Sequence, residues 1–184
     1  MSLVERSRFG LCVWLTGLSG AGKSTTAVAL AAALQQSGCV VTLLDGDVLR
    51  AADPTCLGFS KADRDRNVLR AARQAVAAVR RGEIAICALI SPYRDARAAA
   101  RQLIGIDRFV EVFVDTPLAI CETRDPKGLY DRRSRGEVRA LTGIDDPYET
   151  PLDADVVLDT CSATLDDNVN RLMVLLAERL REAA

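Results

Sequence analysis

The sequence predicts an α/β fold of three layers, in which a five-stranded parallel sheet is flanked by helices and carries a lid segment. Three observations lead there. Short apolar runs alternate with longer amphipathic segments, the pattern of strands joined by helical crossovers. The apolar runs are nearly continuous in Val, Ile and Leu, as expected when both faces of a sheet are covered. A glycine-rich turn, "GLSGAGKST" from Gly17 to Thr25, separates the first run from the first helical segment.

In chain order, the first strand is expected at Leu11–Thr16 and the first helix at Lys23–Gln36, where an Ala-rich stretch favours helix. A second strand at Val40–Asp45 leads to a long helix at Lys61–Arg81. The third strand, Ile84–Ile90, is followed by a helix at Arg94–Ile104, with Pro92 suited to its start. A fourth strand at Phe109–Asp115 and a helix at Pro117–Arg124 come next. Val156–Leu158 is the last strand and Ala163–Glu182 the last helix. The segment 125–151 is rich in charge, Gly and Pro without a clean apolar period, so it reads as a long loop or short helices. A connector there can cover the carboxyl edge of the sheet, where ligands bind, and act as a lid.

The 184 residues fit one domain, 1–184. With 24 basic and 25 acidic residues the net charge is -1, so there is no global basic field of the kind nucleic-acid binding uses. No apolar stretch approaches a membrane span and the amino terminus lacks a signal-peptide core, so a soluble, cytoplasmic protein is expected. Cys12, Cys39, Cys56, Cys87, Cys121 and Cys161 stand singly and read as reduced core residues. The chain has no histidine, which leaves proton transfer to carboxylates or water and excludes a His-based triad or metal site.

Gly17-Leu18-Ser19-Gly20-Ala21-Gly22-Lys23-Ser24 matches G-x-x-x-x-G-K-[ST] between a strand and a helix. Such glycines let successive backbone N–H groups turn around a phosphate, and the following helix adds its positive end. Lys23 would reach the β- and γ-phosphates of a nucleotide and Ser24 would meet Mg²⁺. After the second strand, "LDGDVLR" places Asp45 and Asp47 near Ser24, where either can meet the metal or accept a hydroxyl proton; a plain Asp-Gly turn reads the same. Arg64 and Asn67 share a helix face and can touch one anion, or form a solvated face. Phe59 fits a core or a base-stacking platform. "LISPYRDAR" brings Ser91, Tyr93 and Arg94 to the same edge, with Arg94 able to fork onto phosphate or sulfate.

Taken in order, "GLSGAGKST", "LDGD", "LGFS", R-x-x-N, "ISPYR", "DPKGLY" and "TGIDDPYE" resemble the adenylylsulfate kinases, P-loop kinases, over about Val13 to Thr160. The resemblance implies transfer of the γ-phosphoryl group of ATP, with Mg²⁺, to the 3'-hydroxyl of adenosine 5'-phosphosulfate. It implies that Asp47 orients or deprotonates that hydroxyl, that Asp45 sits near metal and phosphates, and that Arg50, Arg64 and Asn67 hold the acceptor's phosphosulfate and ribose. Phe59 would stack on its adenine. Ile90 and Ser91 would line the pocket, Ser91 standing where some members carry a phosphoserine. Lys127, Gly128 and Leu129 on the lid would contact the acceptor. It further implies functional coupling to a sulfate adenylyltransferase, and the Ala- and Leu-rich helices are compatible with a homodimer.

Three departures stand out. Leu141 replaces the phenylalanine that commonly completes an aromatic clamp on the acceptor adenine, removing stacking worth ~1 kcal/mol. Val48 replaces an asparagine. Ser134 shifts the arginines after "DPKGLY", so that Arg133 or Arg135 would take over the ATP base. Two other readings share the phosphate loop: a kinase for another small hydroxyl compound, and a non-catalytic nucleotide-binding partner. Intact Lys23, Ser24 and Asp47 speak against the second.

Overall fold

The computed structural model describes residues 9–52 and 58–182. Five strands form one parallel sheet: β1 (Leu11–Thr16), β2 (Val41–Asp45), β3 (Ile84–Ala88), β4 (Phe109–Asp115) and β5 (Val156–Asp159), in the order β2-β3-β1-β4-β5. The central strand β1 is wholly buried. Because side chains alternate along a strand, its Leu11, Val13 and Leu15 enter one core and its Cys12 and Trp14 the other. The first core lies under α1 (Lys23–Gln36) and α7 (Leu165–Glu182), through residues such as Leu30, Leu34, Leu172 and Leu176. The second lies under α3 (Lys61–Arg80) and α4 (Arg94–Ile104), where Ala71, Ala75 and Ala78 let the helix approach the sheet closely. There Trp14 stacks on Phe109 with ring centroids 5.6 Å apart.

The expected elements are present, with local differences that have physical reasons. The third strand stops at Ala88 because, after the Leu89 N–H bond to the Leu15 carbonyl, Ile90 and Ser91 leave the ladder to form the edge of the cleft described below. The fifth helix, α5 (Leu118–Arg124), begins one residue after Pro117, which caps it. The last helix begins at Leu165, since Thr164 serves as its cap: the Thr164 hydroxyl accepts from Asp167 N–H, and the Asp167 carboxylate accepts from Thr164 N–H. A short helix absent from the sequence reading, α2 (Gly46–Ala51), starts where the Asp45 carboxylate accepts from Asp47 N–H. The segment 125–151, expected as a long loop or short helices, holds one short helix, α6 (Leu129–Ser134). Of the cysteines, Cys12, Cys39, Cys87 and Cys121 are buried, whereas Cys161 is exposed after β5, a correction to its reading as core; Cys56 and residues 1–8 lie outside the described residues. Among the described residues no helix is long and apolar enough to cross a membrane.

Candidate active site

The glycine-rich turn joins β1 to α1 at the carboxyl edge of the sheet. Gly20 and Gly22 have φ of 78° and 106°, values that only glycine adopts at low cost. A Cβ on Gly20 would stand 2.8 Å from the Cys121 carbonyl oxygen, so α5 packs directly against the turn. Gly17, Ser19 and Ala21 form its base: the Ser19 carbonyl accepts from Tyr130 Oη at 2.9 Å and the Ala21 carbonyl from Thr116 Oγ1 at 2.9 Å. Lys23 is buried, and its Nζ donates to the Gly17 and Leu18 carbonyls at 2.9 and 2.7 Å. Burial, followed by the nearby Lys127 cation, lowers its pKa to about 8.

Ser24 Oγ donates to Asp45 Oδ2 at 2.8 Å, so the start of α1 and the end of β2 present two oxygen donors side by side. Hard divalent cations such as Mg²⁺ take oxygen ligands and few protein groups when phosphates supply the rest. The pair fits such an ion.

Two clefts meet at this point. One, of about 220 Å³, is lined by Asp47, Arg50, Phe59, Asn67, Ile90 and Leu129, among others. The other, of about 460 Å³, is lined by Gly20, Gly22, Thr25, Arg124, Leu165 and Asn168, among others. Lys23, Ser24 and Lys127 belong to both linings. Asp47 faces Lys127, and the two side chains form an ion pair that bridges α2 and the segment after α5.

In the first cleft, Phe59 is half exposed with the Arg50 and Arg64 guanidinium groups over its ring at 5.0 and 5.9 Å. Arg50 also donates to the Gly58 carbonyl. Asn67 Nδ2 donates to the Gly46 carbonyl at 3.3 Å, while its buried Oδ1 has no partner among the described residues. Leu141 is 6 % exposed and forms part of the wall. Ser91 lies at the same wall, yet its hydroxyl accepts from Trp14 Nε1 at 3.1 Å and donates to the Leu89 carbonyl at 3.4 Å, toward the core.

The segment 125–151 crosses the edge and is tied down along its length. Arg64 donates to Ala140 O and Thr142 Oγ1, and Tyr93 Oη donates to Asp146 at 2.7 Å. Buried Arg97 donates to the carbonyls of Ser91 and Glu149 and to Glu111. Gly128 starts α6 with φ 61° and lines neither cleft.

Gly128 thus makes no expected acceptor contact, and two further expected contacts are not made. Arg94 turns away from the clefts, its Nε donating to the Thr150 carbonyl. Arg133 pairs with Asp145, Nη2 to Oδ1 2.7 Å, and lines neither cleft. The arginine that borders the second cleft is Arg124, whose guanidinium donates to Thr160 Oγ1 and O at 3.0 and 2.9 Å. Arg124, Arg132 and Arg139 were not singled out in the sequence; the last two line the first cleft. The signal for Arg124 was its place one residue before "DPKGLY".

The family model for adenylylsulphate kinase matches residues 9–159. The chain is 48% identical over 167 residues to the adenylyl-sulfate kinase of Paraburkholderia xenovorans, covering 91% of this chain and 93% of that one. It is 49% identical over 164 residues to the adenylyl-sulfate kinase of Gloeothece citriformis, covering 89% and 92%. Among solved structures, the Mycobacterium tuberculosis APS kinase CysC in complex with AMPPNP and APS superposes with a TM-score of 0.87 at 41% identity, covering 92% of this chain and 98% of that one.

Proposed function

The chain belongs to the adenylylsulphate kinase family, and we propose that its paired clefts carry out that family's reaction as follows. The enzyme transfers the γ-phosphoryl group of ATP to the 3'-hydroxyl of adenosine 5'-phosphosulfate (APS), giving 3'-phosphoadenosine 5'-phosphosulfate and ADP, with Mg²⁺. The observation that carries the assignment of residues is the junction of the two clefts at Lys23, Ser24 and Lys127.

ATP enters the cleft of Gly20, Gly22, Thr25 and Arg124, with its phosphates on the backbone of the turn and on Lys23. APS enters the cleft of Phe59, Asn67, Ile90 and Leu141, its adenine on Phe59. Arg50 and Asn67 face its anionic and ribose groups; the unpartnered Asn67 Oδ1 accepts a hydrogen bond from a ribose hydroxyl. Ser24, with Asp45 beside it, would hold Mg²⁺, which when bound would supply neutralisation of charge on the transferring phosphoryl group. Asp47 holds the 3'-hydroxyl in line and takes its proton as the new P–O bond forms and the bond to ADP breaks. Lys127, freed from Asp47, turns its charge onto the phosphoryl oxygens. The lid 125–151 excludes water, so that the acceptor hydroxyl and not water receives the phosphoryl group.

The same reading treats 1–184 as one P-loop kinase domain working in the cytoplasm, supplied by a sulfate adenylyltransferase. Exposed apolar side chains on its helices, Val28 and Val174 among them, are compatible with a homodimer. The test is ADP release from Mg-ATP with and without APS, with the nucleotide product identified by mass. APS-stimulated release with the 3'-phosphorylated product is expected; background release with normal ATP binding would overturn the assignment.

A further inference from the structure

We propose that Arg97 is a positioning residue for the acceptor: its guanidinium holds the turn at Ser91 that walls the smaller cleft and ties that turn to the carboxyl end of the segment 125–151. The inference rests on the reading of the smaller cleft as the acceptor site. Arg97 lies in the first turn of α4, its side chain is 3 % exposed, and it lines neither cleft. It therefore acts on a ligand only through its partners. Nε donates to Glu111 Oε1, Nη1 to the Ser91 carbonyl and Nη2 to the Glu149 carbonyl, each at 2.7 Å. Glu111, on β4, is buried beside it and balances its charge.

The turn is one that must be held. Leu89, Ile90, Ser91 and Pro92 all line the cleft, and Ser91 has a left-handed φ of 39° without being glycine. Such a conformation persists only where its surroundings fix it. Successive carbonyls here are gripped from different elements: Ile90 by Thr16 Oγ1 of β1 at 2.7 Å, Ser91 by Arg97 of α4, and Pro92 by the Glu149 N–H at 2.8 Å. Arg97 closes this set, because its Nη2 bonds the carbonyl of the same Glu149. One planar guanidinium thus fixes the distance between the cleft wall and the segment that crosses it.

A chain of charges runs on from Glu111 away from the wall. Glu111 faces Arg101 at 3.5 Å, and Asp155 pairs with Arg101 and Arg179 at 3.0 and 2.7 Å. Arg179→Ala removes a link of that chain, leaves Asp155 its bond to Arg101, and serves as the control for loss of stability alone. Arg97→Lys keeps a charge opposite Glu111 but lacks the fork that reaches two carbonyls. Glu111→Gln keeps an acceptor for Nε without the charge that steadies it. KM for APS, KM for ATP and kcat are read for all three, and backbone hydrogen exchange at 89–91 and 148–150 is followed without any acceptor present.

We expect Arg97→Lys to raise KM for APS about tenfold and Glu111→Gln about threefold, with KM for ATP and kcat within about twofold of wild type. Arg179→Ala should lower the melting temperature and leave KM for APS unchanged. Exchange at 89–91 and 148–150 should quicken in Arg97→Lys and not in Arg179→Ala. A KM for APS close to wild type in Arg97→Lys, an equal rise in Arg179→Ala, a parallel rise in KM for ATP, or unaltered exchange would each overturn the proposal. If Arg97→Lys does not fold, Glu111→Gln decides by the same readings. Should the wild type not use APS, the acceptor assignment falls by itself, and exchange measured without acceptor still decides whether Arg97 holds the Ser91 turn.

Discussion

Trp14 donates its indole N–H to the Ser91 hydroxyl at 3.1 Å, joining the central strand to the residue that turns out of β3. Ser91 has φ 39° and is 3 % exposed, and its carbonyl accepts from Arg97. Its hydroxyl is thereby committed to the core. Ser91→Ala strands a buried indole N–H and should lower stability by about 1–3 kcal/mol, measured by denaturant unfolding, with less loss of turnover than Asp47→Asn. Intact-mass measurement after incubation with Mg-ATP should show no phosphate gained at Ser91.

Asp47→Asn should lower kcat by roughly two to four orders of magnitude, the usual loss for a positioned general base. ATP affinity should stay near wild type, because Asp47 touches Lys127 and not the turn that holds the phosphates. Steady-state kinetics alongside ATP titration checks both halves. Unchanged turnover removes Asp47 from the acceptor side.

Gly20→Ala and Gly128→Ala separate crowding from backbone strain. Both positions have positive φ, 78° and 61°, but a Cβ on Gly20 meets the Cys121 carbonyl oxygen at 2.8 Å whereas nothing lies within 4 Å at Gly128. Gly128→Ala should cost only about 1 kcal/mol. Gly20→Ala should cost more and also weaken ATP binding, since the turn must shift away from α5. Thermal melts with and without ATP distinguish the two.

Alkaline pH should loosen the lid through two tyrosines. Burial, reinforced by its bond to the Asp146 carboxylate and opposed by Arg64, pushes the Tyr93 hydroxyl up to about 12. Burial pushes Tyr148 up to about 12 as well, against its bond to Thr16 and the nearby Arg97. The unfolded chain gives up these protons near pH 10 while the folded protein keeps them. Their contribution is fully present below pH 10 and is lost as pH rises through about 12. Tyr93→Phe should flatten the fall in melting temperature between pH 9 and 11, and a slope equal to wild type would contradict this.

Leu141→Phe should tighten APS binding. The side chain lines the smaller cleft opposite a half-exposed Phe59, and a second ring adds stacking worth ~1 kcal/mol, or about fivefold in KM. A KM that rises instead would mean that the larger side chain strains the core in which Leu141 also packs.

Much of this was legible in the chain itself. β1, α1, α4 and β4 fall where the apolar pattern places them, because long periodic runs and the turn at Gly17–Ser24 are strong local signals. Asp47, Phe59 and Asn67 come together in one cleft as their motifs suggest. The orientation of arginines was not legible. Arg94, Arg133 and Arg64 have the same chemistry in sequence, but Arg94 meets a carbonyl 56 positions on, Arg133 meets Asp145, and Arg64 meets Thr142. Those partners are set by how the segment 125–151 crosses the edge, which no local pattern encodes. The same is true of α2, a helix too short to show a period.

The sheet order has a consequence for the way the protein is made. β1 precedes the other four strands of its sheet in the chain and is the innermost of them, yet its partners begin only at Ile84 and Phe109. Until both have been made, a largely apolar strand has two open edges and is a candidate for wrong pairing. The phosphate turn that follows it is equally early and equally unfinished, for it rests on Cys121 and Tyr130. ATP, which stabilises only the finished turn, can therefore give a nascent chain no help until the chain has been made through Tyr130.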